Sequence, residues 1–168
     1  MKKKVKGCFG KSKELLKRET PTKDTLMPVL VNLIKKDGSY KEFIRKNKKI
    51  INLNHLLVNL IGFNETYKRV LKEYRKEIDL DQVVIYLIEH DIAYPSYKKF
   101  VEEYKKEINF NRVLLNLVAF KIAYSLFVEE YRKQIDFNRV FSDLVKKNIE
   151  HDDFRLDYAN EINLAILF

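Results

Sequence analysis

"FVEEYKKEINFNRV" at residues 100–113 returns as "FVEEYRKQIDFNRV" at residues 127–140. Eleven of the fourteen positions are identical, and the other three are Lys/Arg, Glu/Gln and Asn/Asp exchanges. The unit continues in both directions as "FIRKNKKIINLNHL" (43–56), "VLKEYRKEIDLDQV" (70–83) and "FRLDYANEINLAIL" (154–167). Starts at 43, 70, 100, 127 and 154 are separated by 27, 30, 27 and 27 residues. Upstream, "TLMPVLVNLI" (25–34) matches the second half of a unit, 27 before "NLNHLLVNLI" (52–61). A fixed period held through five registers is the mark of a repeat array.

Each unit reads as two short helices. Tyr97, Phe100, Val101, Tyr104 and Ile108 fall on one face of a first helix, and Phe110, Val113, Leu114, Leu117 and Val118 on one face of a second. Between them stands an Asn or Asp: Asn52, Asp79, Asn109, Asp136 or Asn163. A short acceptor there caps the second helix by taking a hydrogen bond from its free N–H groups. Ile108 before the cap and Val113 after it have the spacing of a hydrophobic staple.

A hairpin of about 27 residues cannot bury its apolar faces alone, whereas stacked neighbours can. The expected fold is therefore all-α, a short right- or left-handed α-solenoid of helix–turn–helix repeats. The unit is similar in kind to HEAT-like repeats, in architecture only, and its period is shorter than theirs. The expected organisation is a flexible basic arm over 1–12 and a single helical-repeat domain over 13–168. Its units lie near 13–39, 40–66, 67–96, 97–123 and 124–150, with a partial unit at 151–168. Three extra residues fall in "EHDIAYPS" (89–96), which reads as an enlarged loop containing Pro95, and Pro28 suits a first helical turn.

Charge is unevenly spread along the 168 residues, whose net value is +9. Residues 1–49 hold 16 Lys/Arg against 5 Asp/Glu (+11), and residues 50–168 hold 17 against 19 (−2). The basic third includes Lys2, Lys3, Lys4, Lys6, Lys11, Lys13, Lys17, Arg18, Lys35, Lys36, Lys41, Arg45, Lys46, Lys48 and Lys49. It would draw an acidic protein face or a polyanion at long range. Lysines grip phosphates without reading sequence, so nucleic-acid binding through 1–49 would be salt-sensitive and largely non-specific.

Chemistry is harder to find. "KGCFGKSKELL" (6–16) approaches a phosphate-binding loop, but Val5 stands where the first glycine belongs and no strand precedes it. The single Cys8 cannot form an internal disulfide, which points to a reducing, cytoplasmic location. His55, His90 and His151 lie outside helical reach of one another, and no zinc-binding spacing occurs. No catalytic residue, cofactor or metal is expected, and no apolar run approaches the roughly 20 residues needed for membrane insertion.

One binding surface stands out besides the lysines. On the second helices His55 with Asn59, Arg112 with Asn116, and Arg139 with Asp143 stand four apart, hence on one face. In stacked hairpins such a ladder lines the concave side, where solenoids hold partners. The first helices, with mixed runs such as "KKFVEEYKKE" (98–107), read as a solvated outer face. The leading expectation is a non-enzymatic module that binds a partner protein through its repeat surface, aided by the basic third. The alternative is a nucleic-acid-binding protein gripping phosphates with residues 1–49. Self-association is a further expectation, since "INLAILF" (162–168) is an apolar end that a second copy could cover.

Overall fold

The computed structural model describes residues 23–36, 39–62, 66–90 and 94–163. Among them the chain is all-helical, with no strand. In order come α1 (Lys23–Lys35), α2 (Tyr40–Lys46), α3 (Leu53–Ile61), α4 (Thr66–Tyr74) and α5 (Leu80–Glu89). There follow α6 (Tyr94–Tyr104), α7 (Phe110–Ala119), α8 (Ser125–Tyr131), a 3-10 turn (Arg132–Gln134), α9 (Phe137–Lys146) and α10 (Asp152–Asp157). The basic arm over 1–12, Lys2 to Arg18, and residues 164–168 of the apolar end lie outside the described residues. The chain divides into two compact units, residues 1–52 and 53–168.

In the first unit α1 packs on α2 around Leu26, Leu30, Ile34, Tyr40 and Ile44, all buried. Pro28 falls inside α1 rather than in its opening turn, because the helix begins at Lys23. Pro28 is exposed, so the N–H it lacks is not missed in a core.

In the second unit the caps are those the sequence predicts. Asp79, Asn109 and Asp136 each adopt an extended backbone and accept from the N–H three residues on: Gln82 at 3.3 Å, Arg112 at 3.1 Å and Arg139 at 3.0 Å. Such a cap is worth about 1 kcal/mol. The preceding first helices stop earlier than their apolar period implies. α6 ends at Tyr104 and α8 at Tyr131, before Ile108 and Ile135. Ile135, at φ −100° and ψ 129°, is already extended. The isoleucine before each cap cannot be helical and also enter the cap from β space, so the chain unwinds through a tight turn. Ile108 and Val113 are both buried, as the staple requires. The residues after α5 do not form a long loop up to Ser96. α6 starts at Tyr94 and takes Pro95 into its first turn, where a missing N–H costs nothing.

Successive second helices pack directly on one another, α3 on α5, α5 on α7 and α7 on α9. One bond recurs at every step. Asn54 Oδ1 accepts from the backbone N–H of Asp79 at 3.0 Å, and Asp81 Oδ1 from that of Asn109 at 2.8 Å. Asn111 accepts from Asp136 at 2.8 Å, and Asn138 from Asn163 at 2.7 Å. The second Asx of each "Asx–apolar–Asx" triplet thus satisfies the N–H of the Asx one repeat on, which for Asp79, Asn109 and Asp136 is the cap residue of the next second helix. That N–H lies before the helix and has no intrahelical partner.

The first helices add ties of their own. Tyr67 Oη donates to Glu103 (3.0 Å), which also pairs with Lys68 (2.9 Å). Arg75 Nε donates to Glu107 at 3.0 Å, Lys98 pairs with Glu130, and Arg132 with Glu161. Three charges of the "KKFVEEYKKE" run therefore reach neighbouring hairpins instead of only facing water. Exposed pairs of this kind contribute about 0–1 kcal/mol each, so they set register more than stability. Stability comes from beneath them. Phe110 stacks near Phe127 and Tyr131 at 6.0 and 5.1 Å, and Phe137 near Phe154 and Tyr158 at 6.3 and 5.0 Å. All six rings are buried, which makes the aromatics core rather than a base-stacking platform.

The second helices α7 and α9 end alike. Lys121 (φ 55°) and Asn148 (φ 52°) turn left-handed, and the next residues, Ile122 and Ile149, return N–H groups to Leu117 and Leu144. The positions twelve after Asn52, Asp79, Asn109 and Asp136 are Asn64, Asp91, Lys121 and Asn148. Three of these four are Asx, the residue type that tolerates a left-handed backbone, and Lys121 is the exception.

Candidate interaction surface

The row formed by α3, α5, α7 and α9 carries the ladder positions, third and seventh after each cap: His55 and Asn59, Gln82 and Tyr86, Arg112 and Asn116, Arg139 and Asp143. None of these eight is buried. Each position is outward because the inward faces are held by Leu56, Leu57, Val83, Val84, Val113, Leu114, Val140 and Phe141. Asn59 and Asn116 donate to the carbonyls four residues back, of His55 (2.8 Å) and Arg112 (2.7 Å), so their amides finish their own helices.

The ladder's members differ from one step to the next. His55 stacks on Tyr86, ring centroids 4.1 Å apart and planes at 22°, and His90 stands 6.0 Å from His55. Two histidines that are 35 positions apart in sequence meet because α3 packs on α5. His90 caps the C-terminus of α5, rather than floating in a loop. Sequence spacing could not bring this three-ring cluster together.

Arg112 is engaged within the fold. Its guanidinium bonds Asp79 Oδ2 at 2.7 Å and Asp81 Oδ2 at 3.3 Å, clamping α7 to the start of α5. The Asp79 bond, joined by the charges of both aspartates, holds Arg112 more firmly protonated than usual. Asp81 is the one buried charged residue among those described. Burial pushes its carboxyl above the usual range, against the opposing pull of the Asn109 N–H and Arg112. Desolvation wins there because only one oxygen edge sees the guanidinium, while the residue is 6% exposed.

Arg139 stands at the equivalent place one step on, and it is open. The residues matching Asp79 and Asp81 are Asn109 and Asn111, which carry no charge. Among the described residues the Arg139 guanidinium makes no hydrogen bond or ion pair, with Asp143 one turn on or with any other side chain. Asp143 likewise has no side-chain partner there.

A cavity of about 360 Å³ opens where the α7–α8 and α9–α10 connections meet, lined among others by Lys121, Tyr124, Glu150, His151, Asp153 and Phe154. Of these polar groups all but Asp153 are already engaged. Lys121 pairs with Glu150 at 2.7 Å, Tyr124 Oη donates to Asp157 at 3.3 Å, and His151 Nδ1 lies 2.6 Å from the Ile149 carbonyl. Burial, with Asp157 beside it, pushes Tyr124 up to about 12. Among the described residues no group of three or more His, Cys, Asp or Glu side chains could hold a metal ion. No helix among them is long and apolar enough to cross a membrane.

The basic third is partly in view. Lys35, Lys36, Lys41, Arg45, Lys46, Lys48 and Lys49 are all exposed, and Lys46 pairs with Glu42 at 2.7 Å. Lys36, Arg45 and Lys49 make no ion pair among the described residues. No protein-family model, no curated protein and no solved structure matches this chain, so its surface is interpreted from its own chemistry.

Proposed function

We propose that the protein is a non-enzymatic interaction module, a short α-solenoid whose row of second helices binds a partner protein with help from the basic first third. The solenoid reading is supported by the recurrence of one bond, from an Asx backbone N–H to the Asx side chain one repeat earlier, at every step from Asn54 to Asn163. The binding reading rests on one contrast. Arg112 is engaged by Asp79 and Asp81 of the preceding hairpin, whereas Arg139 and Asp143, one step on, make no side-chain contact of this kind among the described residues. A surface kept polar and outward but without an internal role is where a partner would be held.

The test is comparative affinity capture with quantified recovery. Arg139→Glu with Asp143→Lys should lose the proteins that the unaltered chain retains. Lys99→Glu with Lys106→Glu, on the first helices, should keep them. Equal recovery from both variants would refute the row as the binding surface.

A nucleic-acid reading draws on the exposed Lys36, Arg45 and Lys49. It predicts retention on heparin that falls steeply with salt. Failure to bind heparin at low ionic strength would remove it.

A further inference from the structure

The junction between α5 and α7 shows what an arginine in the third position after a cap binds: two carboxylates, those of Asp79 and Asp81. The junction between α7 and α9 keeps the same register, because Asn111 Oδ1 holds the Asp136 N–H as Asp81 Oδ1 holds the Asn109 N–H. The acceptors, however, are gone. Asn109 Oδ1 is taken by the Arg112 N–H and Asn111 Oδ1 by the Asp136 N–H. A backbone N–H can only donate, so these bonds fix both amides with oxygen inward and leave each NH2 free to donate. Neither NH2 group has a partner among the described residues. Arg139 thus shares its junction with two amide NH2 donors whose oxygens are each already engaged, where Arg112 shares its own with two carboxylates that each offer a second, charged oxygen.

We propose that Arg139, Asn109 and Asn111 form a receptor for a carboxylate side chain of the partner protein, which takes the place that Asp79 and Asp81 fill for Arg112. The inference rests on the interaction-module reading and names the chemistry its partner must present. A carboxylate suits the site better than a phosphate. The site supplies one cation and neutral donors, and its internal counterpart is satisfied by aspartates. Planar carboxylate also matches the fork of a guanidinium. Asp136, which caps the helix of Arg139, and Asp143, on that helix, oppose any anion, so the site favours a group held by further contacts over a free ion.

Side-chain NMR of the full chain tests this with a blocked peptide of alternating Asp and Glu as probe, against the matching Asn and Gln peptide. The acidic peptide should move the Arg139 Nε–H and the Asn109 and Asn111 NH2 resonances, and the amide peptide should not. Arg139→Gln should weaken the acidic peptide about tenfold, the weight of a charge-assisted bond, and Asp143→Asn should strengthen it. Asn109→Asp with Asn111→Asp rebuilds the Asp79 and Asp81 arrangement. That variant should occupy Arg139 internally and abolish peptide binding while the cap bonds persist. Peptide-induced shifts confined to the lysines of residues 1–49, or a DNA duplex moving the same three resonances more tightly than the peptide, would overturn the proposal. If the row substitutions abolish partner capture while the Asn109→Asp, Asn111→Asp variant keeps it, this inference falls and the interaction-module reading survives.

Discussion

The α5–α7 and α7–α9 junctions are built from almost the same residues and do different things with them. In each, an Asx side chain holds the next cap N–H at 2.8 Å, and a phenylalanine one residue after a cap enters a cluster of rings from the following first helix. The change from Asp79 and Asp81 to Asn109 and Asn111 removes two charges and leaves the backbone bond intact. In the first case the following arginine becomes a clamp. In the second it becomes surface. Backbone hydrogen bonding and apolar burial therefore set the architecture, and the charge on two Asx positions decides whether the following arginine is clamped to the preceding hairpin or left exposed.

The comparison can be tested first where the junctions should agree. Phe110→Ala and Phe137→Ala each empty a buried aromatic site, and each should cost about 3–5 kcal/mol in chemical denaturation. A difference of more than about 2 kcal/mol between them would show that the two cores are not equivalent. The polar ties should then separate the junctions. Asn111→Ala orphans one N–H and should cost about 1–2 kcal/mol, whereas Asp81→Ala also releases Arg112 and should cost about 1 kcal/mol more. Asp81→Asn keeps the bond in the form the next junction uses, and should stay within about 1 kcal/mol of the unaltered protein.

Acid titration sharpens the contrast, because two carboxylates act with opposite sign. Burial pushes Glu103 up, but bonds from Lys68 and Tyr67 outweigh it and hold the carboxyl below its ordinary value. Its contribution is full above the unfolded value and is lost as pH falls through the folded one. Asp81 is raised, so its ionised form is penalised at neutral pH, and that penalty is relieved as pH falls through its folded value toward the unfolded one. Glu103→Gln should flatten the acid loss of stability and Asp81→Asn should steepen it, both read from melting temperature against pH. At the alkaline side the raised Tyr124, at about 12, keeps its proton in the fold after the unfolded phenol has ionised. Stability should decline above the ordinary tyrosine range, and Tyr124→Phe should lessen that decline. The smallest effect concerns backbone strain. Lys121→Asn gives the left-handed position the residue type found at Asn148 and should raise the melting temperature slightly. A fall would mean that the Lys121–Glu150 pair matters more than the backbone.

Much of this was legible in the sequence. The period placed the hairpins, and the Asx before each second helix announced the caps at Asp79, Asn109 and Asp136. The second Asx of each triplet carried an equally clear signal in "NLN", "DLD", "NFN" and "DFN". Its partner, though, is a backbone N–H 25 or 28 residues on, which leaves no side-chain signature. The early ends of α6 and α8 were hidden because Ile108 and Ile135 continue the helical period while belonging to the cap. For the ladder, the spacing puts these residues on a side of their helices that is not buried, but it does not reveal which of them are occupied. It ranked Arg112 and Arg139 together, since the carboxylates that distinguish them lie on the preceding hairpin. The meeting of His55 with His90 was out of reach for the same reason.

The central claim, that one arginine serves the fold and its counterpart is left for a partner, is tested by unfolding Arg112→Gln and Arg139→Gln side by side in denaturant. Arg112→Gln should lower stability by about 1–2 kcal/mol, since it leaves Asp81 buried without its counter-charge. Arg139→Gln should leave stability unchanged to within about 0.5 kcal/mol, as for an uninvolved surface residue. Equal losses in the two variants would contradict the account.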